Sequence, residues 1–399
     1  MNHFTYYTPT KVVFGRETEA QTGKLVKECG GSRVLVHYGG GSAVRSGLLD
    51  RVLASLDKEG LYHTELGGVV PNPHLSKVRE GIAIGLQQKL DFILAVGGGS
   101  VIDSCKAIAY GLAEPDKDVW ELYDHKRKAA GCLPVGVVVT IAAAGSEMSN
   151  SSVITDEAAG EKRSYNDDIA RPKFAVMNPE LTVTLPPYQT AAGCADIMMH
   201  TMERYFVPGT TLELTDEIAE GLLRTVMKNA EILRDDPGNL EARAEVMWAG
   251  SLSHNGLTGC GISAGDFASH GLEHELSGMF GVTHGAGLTA IWSSWARYVF
   301  RGEAVLPRFV RYAEKVMGVQ RTPDMSDEDM ALAGIAAMED FYARIDMPRN
   351  LKELGIAPTE EQILAMAASC ARASGGKRGS AKVMYEKDMV EVYRMAMGE

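Results

Sequence analysis

The sequence predicts an α/β N-terminal half built on a parallel sheet, followed by an all-α C-terminal half. Three observations carry that reading. The chain has 399 residues, and domains typically run ~100–200 residues, so two domains are expected. Up to residue 185, short β-branched apolar runs alternate with longer helical patterns, the signature of βαβ units. Beyond Gln189 the strand-like runs thin out and helical periodicity takes over.

In chain order, the expected strands are Arg33–Tyr38, Asp91–Val96, Val135–Thr140 and Lys173–Met177. Each is rich in Val, Ile, Leu and Ala, as strands covered on both faces should be. One helix is expected from Gly41 to about Lys58, and another after Ser100, turning Ile102, Ala107 and Ile108 towards the sheet. A further strand, Lys11–Phe14, is a candidate for pairing across a two-fold axis, so a homodimer is expected. The pattern changes near Asn178-Pro-Glu-Leu-Thr182 and Leu185-Pro-Pro187. Domains are therefore placed at 1–185 and 186–399. Helices are expected over Ala191–Tyr205, Leu212–Leu233, Leu240–Leu252, Glu303–Val316, Asp327–Ile345 and Thr359–Ala373.

Composition excludes several classes. Net charge is −12, which disfavours nucleic acid, whose binders need clustered Lys and Arg. The basic run Lys126-Arg-Lys128 reads as a solvated loop. No apolar run reaches the ~18 residues of a membrane span. The N-terminus shows no basic region followed by an apolar stretch, and the six cysteines are scattered without a C-x-x-C pair. They read as reduced thiols, so the cytoplasm is the expected compartment.

Two glycine runs, Tyr38-Gly-Gly-Gly-Ser42 and Val96-Gly-Gly-Gly-Ser100, lie at strand ends. Neither fits G-x-G-x-x-G, because Val44 and Ile102 stand where the third glycine belongs. Each alone could be a tight turn closing a βα unit. Two together at strand C-termini point to a ligand crevice, since glycine admits a pyrophosphate and the following helix offers free N–H groups. A fold specific for NAD commonly sets an acidic residue near such a strand end. This chain offers only Gly39, Gly40, Gly41 and Ser42 there, with Arg45 nearby. NADP(H) is therefore favoured.

The second half carries Asp196-Ile-Met-Met-His200, then His270 and His284. Asp196 and His200 share one helical face, and a carboxylate in an apolar helix is costly unless it is paired or binds a cation. One oxygen and three imidazole nitrogens suit a divalent transition metal better than magnesium or calcium. Asp196 as a buried cap, and each histidine as a satisfied core residue, are the competing readings. His270-Gly-Leu-Glu-His274 also matches the H-x-x-E-H pattern of some zinc peptidases, with Glu273 as base. That reading leaves Asp196, His200 and both glycine turns without a role.

Taken with Pro71-Asn-Pro73, Gly97-Gly-Gly-Ser-Val-Ile-Asp103, Ala144-Gly-Ser-Glu147 and His284-Gly-Ala-Gly287, these residues resemble the group III iron-containing alcohol dehydrogenases. The chain is most similar to their NADP-dependent butanol dehydrogenase branch, over essentially its whole length. The resemblance implies a dehydroquinate synthase-like fold: a dinucleotide-binding domain, a helical domain, and a cleft holding cofactor and metal. It implies Asp196, His200, His270 and His284 as ligands of iron(II), with zinc or another transition metal as alternatives. His274, as a proton relay, and Asp103 are the catalytic candidates. Gly97, Gly98, Gly99 and Ser100 would hold the pyrophosphate, and Gly39, Gly40, Gly41 and Ser42 the 2′-phosphate. Asn72, Thr140, Ser146, Lys162 and Leu181 resemble further cofactor contacts. Ala144 stands where the family usually has threonine, and Phe267 where tryptophan is frequent in that branch. The implied reaction moves hydride between NADP(H) and a primary alcohol or aldehyde, with Phe267, Cys260, Asn255 and Met279 as candidates for the pocket lining. A lyase of the dehydroquinate synthase type, sharing the superfold, is the alternative.

Overall fold

A computed structural model describes residues 2–209 and 211–398. The chain divides into two compact units, one spanning Tyr7–Leu185 and the other Pro186–Glu399 with the residues before Tyr7.

The first unit is a six-stranded sheet in the order β1-β8-β5-β4-β2-β3. Its strands are β1 (Lys11–Phe14), β2 (Arg33–Gly39), β3 (Tyr62–Val69), β4 (Phe92–Gly97), β5 (Val135–Val139) and β8 (Phe174–Met177). Every pairing is parallel, with Val34 opposite Phe92 and Ile93 opposite Val135. β4 and β5 are buried at every position, which is why they read as unbroken apolar runs. Helices α1 (Thr22–Glu28), α2 (Ser42–Arg45), α3 (Leu48–Lys58), α4 (Leu75–Gln88), α5 (Gly99–Ala113) and α6 (Trp120–Tyr123) connect the strands. Val34, Val36, Leu94, Val96, Val52 and Leu56 share one core cluster. An antiparallel hairpin, β6 (Ser151–Asp156) with β7 (Glu161–Asn166), stands apart as a second sheet.

Several elements, β6, α1, α4, α6 and the helix Glu386–Met395 among them, are not expected from the sequence, and three departures have a plain physical cause. The helix expected from Gly41 to Lys58 is broken into α2 and α3. Gly47 sits at φ +68° between them, a left-handed conformation that costs glycine nothing. Strand β3 escapes the periodicity rule because Gly67 and Gly68 interrupt its apolar pattern. A Cβ on Gly67 would stand 2.6 Å from the Tyr38 ring, so packing demands the residue that hides the strand. Charged residues of Glu161-Lys-Arg163 mask β7 in the same way.

The second unit is helical throughout its named elements: α7 (Pro187–Tyr205), α8 (Glu213–Asp235), α9 (Leu240–His254), α10 (Ala268–Phe280), α11 (His284–Val299), α12 (Leu306–Lys315), α13 (Asp327–Arg344), α14 (Glu360–Ala373) and α15 (Glu386–Met395). Capping boxes start α13 at Ser326 and α14 at Thr359, each satisfying two otherwise unpaired backbone donors. Its core is aromatic: Phe206 stacks on Phe309 at 4.3 Å, with Trp292, Trp295 and Tyr312 around it. Among the described residues, no helix is long and apolar enough to cross a membrane.

Candidate metal centre and nucleotide cradle

Helix α7 presents Asp196, His200 and Glu203 at i, i+4 and i+7, one stripe of its surface. α10 presents His270, Glu273 and His274, and α11 opens on His284. Two glycines let these helices meet. A Cβ on Gly285 would fall 2.0 Å from the carbonyl oxygen of Ala192 on α7, and one on Gly287 would fall 2.9 Å from Oε1 of Glu273 on α10. His284-Gly-Ala-Gly287 is thus a close-approach motif.

The geometry converges on Asp196 Oδ1. His270 Nε2 lies 3.8 Å from it and His284 Nε2 3.7 Å. Donors held ~2.1 Å from one tetrahedral ion stand ~3.4 Å apart, so these separations are close to those of a ligand set. Asp196, His270 and His284 bring one donor atom each within 4.8 Å of the others. His200 adjoins them: its ring centroid is 4.5 Å from that of His270. Its Nδ1 is 3.2 Å from Asp196 Oδ1 and 3.1 Å from the Asp196 carbonyl oxygen, and only the carbonyl receives its proton. Asp196 Oδ1 and His270 Nε2 are buried without a hydrogen-bond partner. Buried polar atoms in that state cost several kcal/mol unless a cation satisfies them. The donor set therefore fits a divalent transition metal.

Electrostatics agree. Burial would raise the Asp196 carboxyl, yet the imidazoles of His200, His284 and His270 outweigh it and hold it well below the usual carboxylate range. Burial drives His200 well below the usual imidazole range. Burial also opposes a charge on His270, but Asp196 and Glu203 prevail and raise it to about 9. The proton they draw onto His270 is the one a divalent cation would displace. His274 is half-buried, its ring 5.7 Å from that of His284. Glu273 is enclosed, accepting from His284 Nδ1 and Ser277 Oγ, which leaves no exposed carboxylate for a peptidase base. Of the apolar pocket candidates, Asn255 is buried with Oδ1 accepting from Leu257 N, whereas Met279 is exposed. Phe267 holds φ +52° at the head of α10.

In the α/β unit, strand order sets β5, β4 and β2 side by side. After β2 the chain moves outward to β3, and after β4 it moves the other way to β5. The two glycine turns thus flank the point where strand order reverses, where open α/β sheets bind ligands. Gly98 leads into the fifteen-residue α5, and a Cβ there would lie 1.9 Å from Ile141 Cγ2. Gly41 takes φ +112°, and Arg45 Nη1 lies 3.2 Å from where its Cβ would be. Thr140 N donates to the Gly97 carbonyl at 3.1 Å. Asn72 holds φ +56°. Ser146 Oγ donates to Asp103 Oδ1 at 2.6 Å. Lys162 is buried on β7, and Leu181 packs on the strand core.

Asp103 and a lysine unremarked in the sequence reading form one buried brace. Asp103 Oδ2 accepts from Val153 N at 3.0 Å, and burial raises its carboxyl. Lys106, fully buried, donates to Ser146 Oγ and to the carbonyls of Ser146, Ser149 and Ser151. Burial lowers it to about 8. Together they hold the Ser146 turn and the hairpin on α5. The sequence signal was there, two charges three apart in an apolar helix. Glu203 was likewise missed, and Glu273 was noticed only as a peptidase base.

Comparison with known proteins follows the same division. The profile described as iron-containing alcohol dehydrogenase matches residues 9–179, and that of the C-terminal region of the Fe-containing alcohol dehydrogenase family matches residues 190–397. NADH-dependent butanol dehydrogenase A of Clostridium acetobutylicum is 38% identical over 394 residues, 99% of each chain. NADPH-dependent aldehyde reductase YqhD of Escherichia coli is 34% identical over 362 residues, covering 89% of this chain and 90% of that one. The crystal structure of NADH-dependent butanol dehydrogenase A from Thermotoga maritima superposes with a TM-score of 0.94 at 36% identity, covering 99% of both chains.

Proposed function

We propose, for a chain that belongs to the iron-containing alcohol dehydrogenase family, that it reduces aldehydes to primary alcohols with NADPH and runs the reverse oxidation with NADP+. The carrying observation is the orphaned Asp196 Oδ1, with Nε2 of His270 and His284 3.8 and 3.7 Å away and the His200 ring beside that of His270. Those four residues are our ligands for a divalent metal, iron(II) in this reading. When bound, such a metal polarises a carbonyl oxygen as a Lewis acid, and a reduced nicotinamide supplies hydride to the carbon.

The rest is the work of the chain's own side chains. Asp196 contributes the one negative charge among the four. His200 gives its Nδ1 proton to a backbone carbonyl, which leaves Nε2 as its donor atom. His274 is our proton relay to the developing alcohol oxygen, through water, since an imidazole exchanges protons near neutral pH. Gly97, Gly98, Gly99 and Ser100, at the head of α5, hold the pyrophosphate with backbone N–H groups. Asn72, Thr140, Ser146, Lys162 and Leu181 complete the nucleotide contacts. Asp103 we assign a positioning role, through Ser146 and Val153.

The preference for NADP(H) rests on the first glycine turn. Gly39, Gly40, Gly41 and Ser42 bring no carboxylate, and Arg45 lays its guanidinium beside Gly41. Relatives are named for NADH and for NADPH alike, so the turn, not the family, supports this choice. Short-chain aldehydes such as butyraldehyde are the substrate class in this reading, by likeness to those relatives. A homodimer fits the position of β1 at one edge of the sheet, with Phe14 exposed. Six free thiols fit a reducing cytoplasm.

The test is loss of NADPH absorbance with butyraldehyde and iron(II)-loaded protein. Turnover is expected in the parent, and a more than ~100-fold loss in His270→Ala and Asp196→Asn, with NADPH still binding by fluorescence titration. No consumption of NADPH by the parent would sink the dehydrogenase reading. Near-normal rates in both variants would sink the metal assignment.

A further inference from the structure

We propose that Glu203 and Glu273 are positioning residues that orient His270 and His284 and thereby set the cation affinity of the centre. This rests on the metal reading above. The two histidines are held alike. His270 Nδ1 donates to Glu203 Oε1 at 3.1 Å, and His284 Nδ1 donates to Glu273 Oε2. In both rings the other nitrogen, Nε2, faces Asp196 Oδ1. A proton fixed on Nδ1 leaves the lone pair on Nε2, the atom aimed at the centre, and a carboxylate partner makes the ring a stronger ligand.

Both glutamates are enclosed, at 1% and 0% exposure. A buried carboxylate is costly, so each needs a specific partner. Glu203 Oε1 also accepts the backbone N–H of His270 at 2.9 Å, which ties the residue's main chain and ring to one oxygen. Glu273 Oε1 accepts from Ser277 one turn along α10, and glycine at 287 leaves the space it occupies. The grips run from helix to helix. Glu203 on α7 holds a histidine of α10, and Glu273 on α10 holds the first residue of α11. The helices are thus linked through the groups that would surround the ion.

Glu273, His274 and His284 also approach one another within 4.8 Å. Glu273 Oε2 and His284 Nδ1 are in hydrogen-bond contact, however, with no room for a cation between them. A second metal there is the weaker explanation.

Zinc(II) is the probe, because it does no redox chemistry. Apo-protein competes with a chromogenic chelator, and the parent is compared with Glu203→Gln and Glu273→Gln. Each variant is expected to bind zinc ~10–100-fold more weakly, while the melting temperature of the apo form stays near that of the parent. Affinities within ~3-fold of the parent in both variants would overturn the proposal and leave the metal reading standing. A parent that takes up no zinc and no iron would overturn the metal reading itself. Should a glutamine variant fail to fold, Glu203→Asp or Glu273→Asp decides by the same threshold: charge is kept but reach is shortened by a methylene, and a loss of affinity is still expected.

Discussion

At Gly39 the side chain is absent where a carboxylate would discriminate against a 2′-phosphate. A Cβ there would meet only the Val69 carbonyl at 3.5 Å and Val101 at 3.9 Å, ordinary contacts, and its φ is not positive. Gly39→Asp should therefore fold normally. Like charges ~4 Å apart near a surface repel by about 1–4 kcal/mol, so NADPH should bind at least ~5-fold more weakly while NADH changes little. Fluorescence titration of both nucleotides decides, and an unchanged ratio would refute the reading of this turn. The four candidate ligands stood out at this scale because Asp196 and His200 share a helical face and histidines cluster downstream. The glutamates hydrogen-bonded to His270 and His284 did not. A buried Glu203 looks in sequence like any exposed helix glutamate, and only tertiary packing sets it against His270.

Among elements, β2 places a polar residue directly after its buried apolar run Val34–Val36. His37 is fully buried, its Nδ1–H donating to the Leu66 carbonyl at 2.6 Å and its Nε2 accepting from Ser104 Oγ at 2.9 Å. The neutral ring satisfies both nitrogens, and burial lowers its pKa to about 4 from 6.5. The unfolded chain thus binds more protons between those values, so stability rises with pH across that window and is lost as pH falls through it. The α/β unit should be about 2 kcal/mol less stable at about pH 5 than at about pH 7 from this residue alone. Urea unfolding at the two pH values measures it. His37→Gln should flatten the slope, and an equal slope in parent and variant would discard the account. Strands β4, β5 and β8 were legible because burial on both faces makes them apolar throughout, and β2 because Val34, Leu35 and Val36 form a buried apolar run. β3 and β7 were not, for the reasons of packing and charge at Gly67 and Glu161-Lys-Arg163.

Over the whole molecule, stability leans on buried charge as well as apolar packing. Arg308 of α12 meets Asp216 of α8 through two bonds of 2.7 Å and donates to the Tyr205 carbonyl at the end of α7. Both side chains are nearly enclosed, at 10% and 8% exposure. Arg308→Met leaves Asp216 buried without its partner and should cost about 3–5 kcal/mol. Arg308→Met with Asp216→Leu should recover much of the loss, because no charge is then stranded. Denaturant midpoints test this, and a single variant within about 0.5 kcal/mol of the parent would show that the pair contributes little.

Residue order alone determined the two-part architecture, the places of both glycine turns and the four metal candidates. Those features are written locally: strand apolarity, helical spacing and the need for residues without side chains recur along the chain itself. Tertiary structure decided which donor atoms converge, which glutamates hydrogen-bond His270 and His284, and why Lys106 is buried. Those outcomes depend on contacts between residues far apart in sequence, such as Glu203 with His270 and Glu273 with Gly287, and no local pattern encodes the distance between them.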